Sequence, residues 1–478
     1  MTWSQSGSID IPGLVHSHAL AGSLRHHPAC RPRLLIIMVG LPARGKSYIA
    51  KKLARYLNWL QYPTRLFNVG ERRRLAVAPP GTEFDEPGQT DTRVTWTHDA
   101  HFFDPRCAAA RSWRDQLAMD ALNELLDWLD TPGATIGIFD ATNSTSARRR
   151  ALLDCVRHRV STPPDVLFLE SVCENSSVLE RNMRLKLKGP DYASQASEVA
   201  MKDLEERIRN YASAYVPIGE DEIAEGIPFI RVFDTGRQVT MNRVQSFLSM
   251  VALDYLLSFH LENRRIWLTC NGQSLDDVSG KIGRQSELSE EGVRFSRALA
   301  TFMRERGPTL AGDEAGSAEQ RPDEDRMAGQ ALNKTPASRL QVWTSMMSQS
   351  IRTAEEFPPQ DVIKMQMLGD MDAGDMRGMT YDQISAERPD VAAARARDIV
   401  NFRWPGVGGE GYVDVINRLR AVVLELERSR DHILVISHRA IVRVLLAYFM
   451  GLEKSRLYTL DIPYGSLFSI EPVSSLRF

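Results

Sequence analysis

No stretch of the chain approaches the ~18 consecutive apolar residues that a membrane-spanning helix requires, and the N-terminus lacks the apolar core of a secretion signal. A cytoplasmic protein that does not engage a membrane is therefore expected. Cysteine is scarce: Cys30, Cys107, Cys155, Cys173 and Cys270 make five, an odd number, widely spaced and without a C-x-x-C pair. That argues against a disulfide framework or a cysteine zinc site, and predicts reduced thiols. An excess of charge is absent too. A net charge of −2 provides no basic surface for nucleic acid, although a local cluster can still hold a small anion. What is left is the composition of an ordinary globular protein, and at roughly 150 residues per domain a chain of 478 residues allows two or three of them.

One stretch organises the rest. Leu34-Leu35-Ile36-Ile37-Met38-Val39 is wholly apolar and reads as a buried strand, and Gly40-Leu41-Pro42-Ala43-Arg44-Gly45-Lys46-Ser47 fits the G-x-x-x-x-G-K-[ST] pattern of a P-loop. The two glycines let the backbone curl so that several N–H groups face one anion, Lys46 adds a mobile positive charge, and Ser47 offers a hydroxyl to Mg2+. After Tyr48, the residues Ile49, Leu53 and Leu57 fall on one helical face, as a P-loop helix requires.

Before this stretch, residues 1–33 mix Ser, Gly, Pro and four histidines (His16, His18, His26, His27) without a sustained period, and read as a flexible arm. A mobile segment gives a metal no fixed geometry, so these histidines receive no role. After it, Thr64 to Val69 reads as a second strand ending at Arg72-Arg73-Arg74, a candidate anion site at a strand end, whose bland alternative is a solvated charge run. Residues 79–101 read as a polar loop over the site. A helix is predicted from about Pro105 to Leu129, with Arg114 near its middle.

Thr135 to Asp140 is a second buried strand with a carboxylate at its tip, where a P-loop enzyme holds the shell of a metal ion; Asp140 is assigned that role. Val166 to Cys173 is another strand. Cys173 at its end either lines a pocket or is simply packed. The segment around Asn182, Lys186 and Lys188 is basic, and a helix from Glu198 to Val216 carries Arg207 and Tyr211 four apart on one face. A last strand, Phe229 to Asp234, completes a strand–helix alternation that predicts a mostly parallel sheet with helices on both sides.

Val39-Gly40-Leu41-Pro42-Ala43-Arg44-Gly45-Lys46-Ser47-Tyr48, Arg55-Tyr56-Leu57-Asn58-Trp59, Phe67-Asn68-Val69-Gly70, Phe139-Asp140-Ala141-Thr142-Asn143, Pro190-Asp191-Tyr192 and Asn242-Arg243-Val244-Gln245 together resemble the 6-phosphofructo-2-kinase/fructose-2,6-bisphosphatase family, and the resemblance runs along nearly the whole chain. It implies an α/β chain with a P-loop kinase domain over residues 34–260, followed by a histidine-phosphatase (phosphoglycerate mutase-like) α/β domain over 261–478. The implied kinase moves the ATP γ-phosphate to the 2-hydroxyl of fructose 6-phosphate. Carried over by residue, the nucleotide meets Gly40 to Tyr48 and Asn182, Mg2+ meets Ser47 and Asp140, and the sugar phosphate meets Arg73, Arg114, Thr142, Arg148, Lys186, Arg207 and Tyr211. Lys46, Asp140, Lys186 and Cys173 form the implied catalytic set, with Lys188 close enough to Lys186 to compete for its place. Ser146 departs from the family's usual arginine.

From Arg265 the pattern restarts with Ile266-Trp267-Leu268-Thr269, and Ile433 to Ala440 closes a second set of strands. The family has Arg-His-Gly after the first of these, with a nucleophilic histidine; this chain has Cys270-Asn271-Gly272. An amide nitrogen delocalised into its carbonyl is a very poor nucleophile. A second family arginine is Gln349, and the acid glutamate is Asp370; His438, Arg403, Arg443 and Tyr381 remain. His438 without its partners is expected to be hydrogen-bonded and not catalytic. Residues 309–338 read as a disordered insert. The expectation is therefore a kinase using ATP and Mg2+, with an inactive phosphatase-like half kept for packing, ligand sensing or a homodimer contact. A bifunctional enzyme with residual hydrolase activity and a non-catalytic nucleotide or sugar-phosphate binder are the alternatives.

Overall fold

The computed structural model describes residues 32–75, 100–159, 162–192, 196–234, 236–260, 264–283, 285–312 and 339–471. Of the expected arm over 1–33 the residues to 31, of the expected polar loop over 79–101 those to 99, and of the expected insert over 309–338 those from 313 lie outside the described residues, while Ala100 and His101 open a short 3-10 turn. Residues 309–312, assigned by sequence to that insert, instead close a helix.

In the first half the chain runs β1 (Leu34–Val39), α1 (Lys46–Trp59), β2 (Thr64–Asn68), α2 (Val69–Leu75), α3 (Ala108–Leu129), β3 (Ile136–Asp140), α4 (Ser146–Arg159), β4 (Asp165–Val172), α5 (Ser176–Leu187), α6 (Ser197–Ser213), α7 (Glu220–Ala224), β5 (Phe229–Phe233), β6 (Gln238–Asn242) and α8 (Phe247–Leu257). The strands form one sheet in the order β2-β3-β1-β4-β5-β6. β1 lies between β3 and β4 and is parallel to both. It can be apolar throughout because both faces are covered. Leu34, Ile36 and Met38 pack towards α1 and α8, and Leu35, Ile37 and Val39 towards α3 and α4. Strand order reverses at β1, and the crevice beyond the carboxyl ends at such a reversal is where α/β sheets bind ligands.

Two features differ from the sequence expectation. Arg72, Arg73 and Arg74 sit on the short helix α2 and not at a strand end, because Asn68 accepts a hydrogen bond from the Glu71 N–H at 3.0 Å and turns the chain as soon as β2 stops. β6 is an antiparallel edge strand paired with β5. Its half-exposed, mixed side chains carry no buried-strand pattern, so the alternation of strands and helices did not reveal it.

The second half runs β7 (Ile266–Cys270), α9 (Leu275–Val278), α10 (Glu290–Gly312), β8 (Leu340–Thr344), α11 (Ser348–Thr353), β9 (Val362–Lys364), α12 (Tyr381–Glu387), α13 (Pro389–Arg397), α14 (Tyr412–Arg428), β10 (His432–Ser437), α15 (Arg439–Met450) and β11 (Leu467–Ile470). Its sheet has the order β11-β7-β10-β8-β9, with only β11 antiparallel. The halves share a core along α1. Trp59 donates its indole N–H to the Val444 carbonyl at 3.3 Å and meets the Tyr448 ring edge-on with ring centres 5.4 Å apart, and Glu427 of α14 is buried against Lys52, Arg55 and Tyr448.

Candidate active site

The turn between β1 and α1 is built as an anion cradle. Gly40 has φ of 133°, Ala43 of 60° and Gly45 of 83°, so successive N–H groups curl inward. A Cβ on Gly40 would stand 2.5 Å from the Ser171 carbonyl oxygen, which reserves this position for glycine. Gly45 caps α1 without any side-chain acceptor, leaving the first-turn N–H groups to a ligand. Lys46 folds back and donates to the Leu41 carbonyl at 2.6 Å. Asn182, from α5, donates to the Ala43 carbonyl at 3.2 Å, so it braces the loop.

Asp140 is delivered by β3 to the same place. It accepts from Asn68 at 2.7 Å and stands beside the Ser47 hydroxyl. Burial pushes its carboxyl up, opposed by Ser47, Lys46 and Lys186, and burial pushes the Lys46 ammonium down to about 7, opposed by Asp140. Both charges are held out of water where a phosphate and a cation would compensate them. Among the described residues no cluster of three His, Cys, Asp or Glu side chains could chelate a metal alone. One hydroxyl beside one carboxylate is instead the donor set that suits Mg2+, which keeps waters and shares substrate phosphates.

Next to the cradle stands a wall of arginines. Arg73 donates from Nη2 to both Asp191 carboxylate oxygens at 2.9 Å, Arg207 donates to Asp191 at 3.1 Å and Arg74 at 3.2 Å. The Phe103 ring supports two of them, with the Arg207 guanidinium 3.9 Å and the Arg73 guanidinium 5.0 Å from its centre. Arg148 is paired with Asp115 and donates to the Arg114 carbonyl at 3.2 Å, while Arg114 donates to the Phe102 carbonyl. Lys186 is pushed down to about 8 by burial and by Arg207, against the pull of Asp191 and Asp140.

A single cavity of about 1230 Å3 joins these parts. Pro42 to Tyr48, Asp140, Thr142, Asn182, Arg73, Arg114, Arg148, Lys186, Lys188, Arg207 and Tyr211 all line it. Lys188 is more exposed than Lys186, and Lys186 lies in the fields of Asp191 and Asp140. The volume exceeds the range of roughly 300–1,000 Å3 usual for one small ligand and leaves space for two. Gly40 and Leu41 shape the turn from behind.

Cys173 is placed differently from the sequence expectation. It is buried just past β4, its thiol reaches the Asn175 carbonyl at 3.8 Å near the Asp234 carboxylate, and it is absent from the cavity lining. Burial and the Asp234 carboxylate push that thiol up, which disfavours a thiolate. β4 ends against the back of the cradle, where the Ser171 hydroxyl donates to the Arg44 carbonyl, and Cys173 two residues on faces Asn175 and Asp234 instead of the cavity, a direction that the linear sequence does not carry. Conversely, Asp191, Phe103 and Asp115 organise the arginines and were given no role from sequence. Asp191 is 118 positions from Arg73, and only its place in the Pro190-Asp191-Tyr192 string hinted at it.

In the second half, Asn271 donates its amide to the Gly272 carbonyl at 2.8 Å. Cys270, where the family has arginine, is a buried thiol pushed up to about 12 by burial. His438 is buried, 2.9 Å from the Ser345 hydroxyl and 3.5 Å from that of Ser350, and burial pushes its imidazole down. Asp370 accepts from the Met371 N–H at 2.8 Å.

Known proteins match both halves. The family model described as 6-phosphofructo-2-kinase matches residues 25–263, and that of the histidine phosphatase superfamily (branch 1) matches residues 324–475. The chain is 39% identical to 6-phosphofructo-2-kinase 1 of Saccharomyces cerevisiae over 97% of its own length, and spans about half of that relative, 53%. It is 35% identical to 6-phosphofructo-2-kinase/fructose-2,6-bisphosphatase 3 of Rattus norvegicus, over 94% of this chain and 73% of that one. With the enzyme of that double name from Caenorhabditis elegans it shares 35% identity, over 92% of this chain and 86% of the relative. Two family models in the expected order, and relatives colinear across both, make the chain a member of the 6-phosphofructo-2-kinase/fructose-2,6-bisphosphatase family.

Proposed function

We propose that this chain is an ATP-dependent 6-phosphofructo-2-kinase, which phosphorylates the 2-hydroxyl of fructose 6-phosphate and so makes fructose 2,6-bisphosphate, a regulator of glycolysis. The observation that carries the reading is the shared cavity: Lys46, Ser47 and Asp140 on one side, Arg73, Arg114, Arg148, Arg207 and Tyr211 on the other. The cradle would orient the nucleotide, and the arginines the 6-phosphate, so that the two reactants meet in one orientation. Lys46, which is buried, and Lys186 add positive charge to the cavity wall, and a loose phosphoryl-transfer transition state is stabilised by such charge. Mg2+, held through Ser47 and Asp140, would neutralise phosphate oxygens when bound. No covalent nucleophile is required.

The second half is proposed to be catalytically silent. This is supported by an amide at position 271 that is bonded to its neighbour's carbonyl, a buried thiol at 270 and a histidine held between two serines. The domain division at about 260/261 belongs to the same proposal, as does a homodimer, for which the open edge of β6 with Met241 60% exposed is a ready surface. No described helix is long and apolar enough to cross a membrane, and a cytoplasmic location is part of the reading, with no role for nucleic acid. The test is a turnover assay with ATP and fructose 6-phosphate in which the acceptor carbon is identified.

A further inference from the structure

The arginine wall holds more positive charge than its own geometry can tolerate unaided. Arg73 is only 4% exposed and Arg207 only 8%, and two buried guanidiniums that share one neighbourhood repel each other and remain charged. Left alone they would turn away towards solvent. What stands between them is Asp191, which follows α5 and receives hydrogen bonds from Arg73, Arg74 and Arg207. Burial alone would push this carboxyl up, but Arg73, Arg207 and Arg74 outweigh it and hold it well below the usual carboxylate range. It is therefore ionised whenever the protein is folded at ordinary pH.

Asp191 lies behind the wall: Arg73 and Arg207 line the cavity, and Asp191 does not. Its carboxylate occupies the Arg73 Nη2 and the Arg207 Nη1, while Nε and Nη1 of Arg73 and Nε of Arg207 have no hydrogen-bond partner among the described residues. A buried N–H without a partner is costly, and an anion in the cavity is what would relieve it. One carboxylate against three guanidiniums leaves the cluster net positive, so it still attracts a phosphate. The Phe103 ring closes the other side of both guanidiniums.

We infer that Asp191 is a positioning residue for the sugar phosphate: it touches no substrate, and fixes Arg73 and Arg207 in the orientation that the 6-phosphate meets. This deepens the kinase reading and rests on it. Two opposite signs separate positioning from simple charge. If Asp191 acted only through its field, removing a negative charge beside a phosphate site would tighten sugar-phosphate binding. If it positions, the same change releases the arginines and weakens it.

The experiment uses the full chain and compares wild type with Asp191→Asn and Asp191→Glu. For Asp191→Asn the expected result is a rise in the KM for fructose 6-phosphate on the order of tenfold to a hundredfold, the scale on which loss of an orienting partner acts. The KM for ATP should stay within about twofold, because the cradle is built on other contacts. Asp191→Glu keeps the charge but displaces the carboxylate by one methylene, and should give a smaller, severalfold rise. An unchanged or lowered sugar KM in Asp191→Asn overturns the inference. Should that variant not accumulate as folded protein, Asp191→Glu carries the test alone, and a wild-type sugar KM in it is equally decisive against. A wild-type chain that does not phosphorylate fructose 6-phosphate would overturn the kinase reading and this inference with it, whereas an active wild type with unaltered sugar KM in both variants would overturn this inference only.

Discussion

Glu427, on α14 of the second half, accepts a hydrogen bond at 3.0 Å from Arg55, on the helix whose first two residues are Lys46 and Ser47. Lys52 at 3.2 Å and Arg264 at 3.5 Å complete its cationic surroundings, and Tyr448 donates to it at 2.6 Å. One buried carboxylate thus satisfies three buried or half-buried cations and ties the P-loop helix to the second half. Glu427→Ala would leave those cations without their counter-charge, which typically costs about 3–5 kcal/mol. Denaturant unfolding of the full chain should show a loss of that size, and a change below about 1 kcal/mol would show that Glu427 does not anchor the interface.

The same residue sets an acid limit. Burial would push Glu427 up, but Lys52 and Arg55 outweigh it and bring the carboxyl to about 2, below its ordinary value near 4.5. A group whose folded value is depressed contributes stability that is complete above its unfolded value and is lost as pH falls through the folded one. The stability difference between wild type and Glu427→Gln, measured across pH, should therefore be constant above about pH 5 and shrink between there and pH 2. A difference that grew on acidification would contradict this ion network.

Gly40→Ala should damage nucleotide use specifically. The new Cβ would meet the Ser171 carbonyl oxygen at 2.5 Å at a backbone φ of 133°, a strain on the order of 1–3 kcal/mol. The loop can relieve it only by opening the cradle. The KM for ATP should rise about tenfold or more, and an unaltered KM would show that the turn does not bind phosphate through its backbone.

Asn271→His alone should not restore a phosphatase. The adjoining Cys270 remains a buried thiol, and Gln349 remains a neutral, buried amide, so an introduced imidazole would face a phosphate with two of the cations that stabilise its transfer missing. Incubation with fructose 2,6-bisphosphate labelled at the 2-phosphate should yield neither free phosphate nor a phosphohistidine. Either product from that variant, or from wild type, would show that the second half retains a working site.

Much of this was legible in the sequence where chemistry is local. The cradle needs contiguous residues with fixed roles, so Gly40, Gly45, Lys46 and Ser47 could be read directly, and Asp140 followed because an apolar run ends on it. Arg207 and Tyr211 were found by helical spacing, and both line the cavity. Asp191 was not assigned, because nothing near it in the chain states that Arg73, more than a hundred positions earlier, will donate to it. Cys173 was assigned to the catalytic set and stands outside the cavity, since one strand end can point to either side of a twisted sheet. The edge strand β6 escaped because a half-exposed strand has no apolar signature.

The most direct test of the kinase reading is a single turnover experiment with the full chain, Mg2+, ATP and fructose 6-phosphate, in which phosphorus NMR locates the transferred group and Lys46→Ala serves as the control. The predicted result is phosphate on the 2-oxygen, with the rate lowered on the order of a hundredfold to a thousandfold in Lys46→Ala, the scale for removing one preorganised charge. Phosphate on another oxygen, no transfer by wild type, or full activity in Lys46→Ala would contradict it.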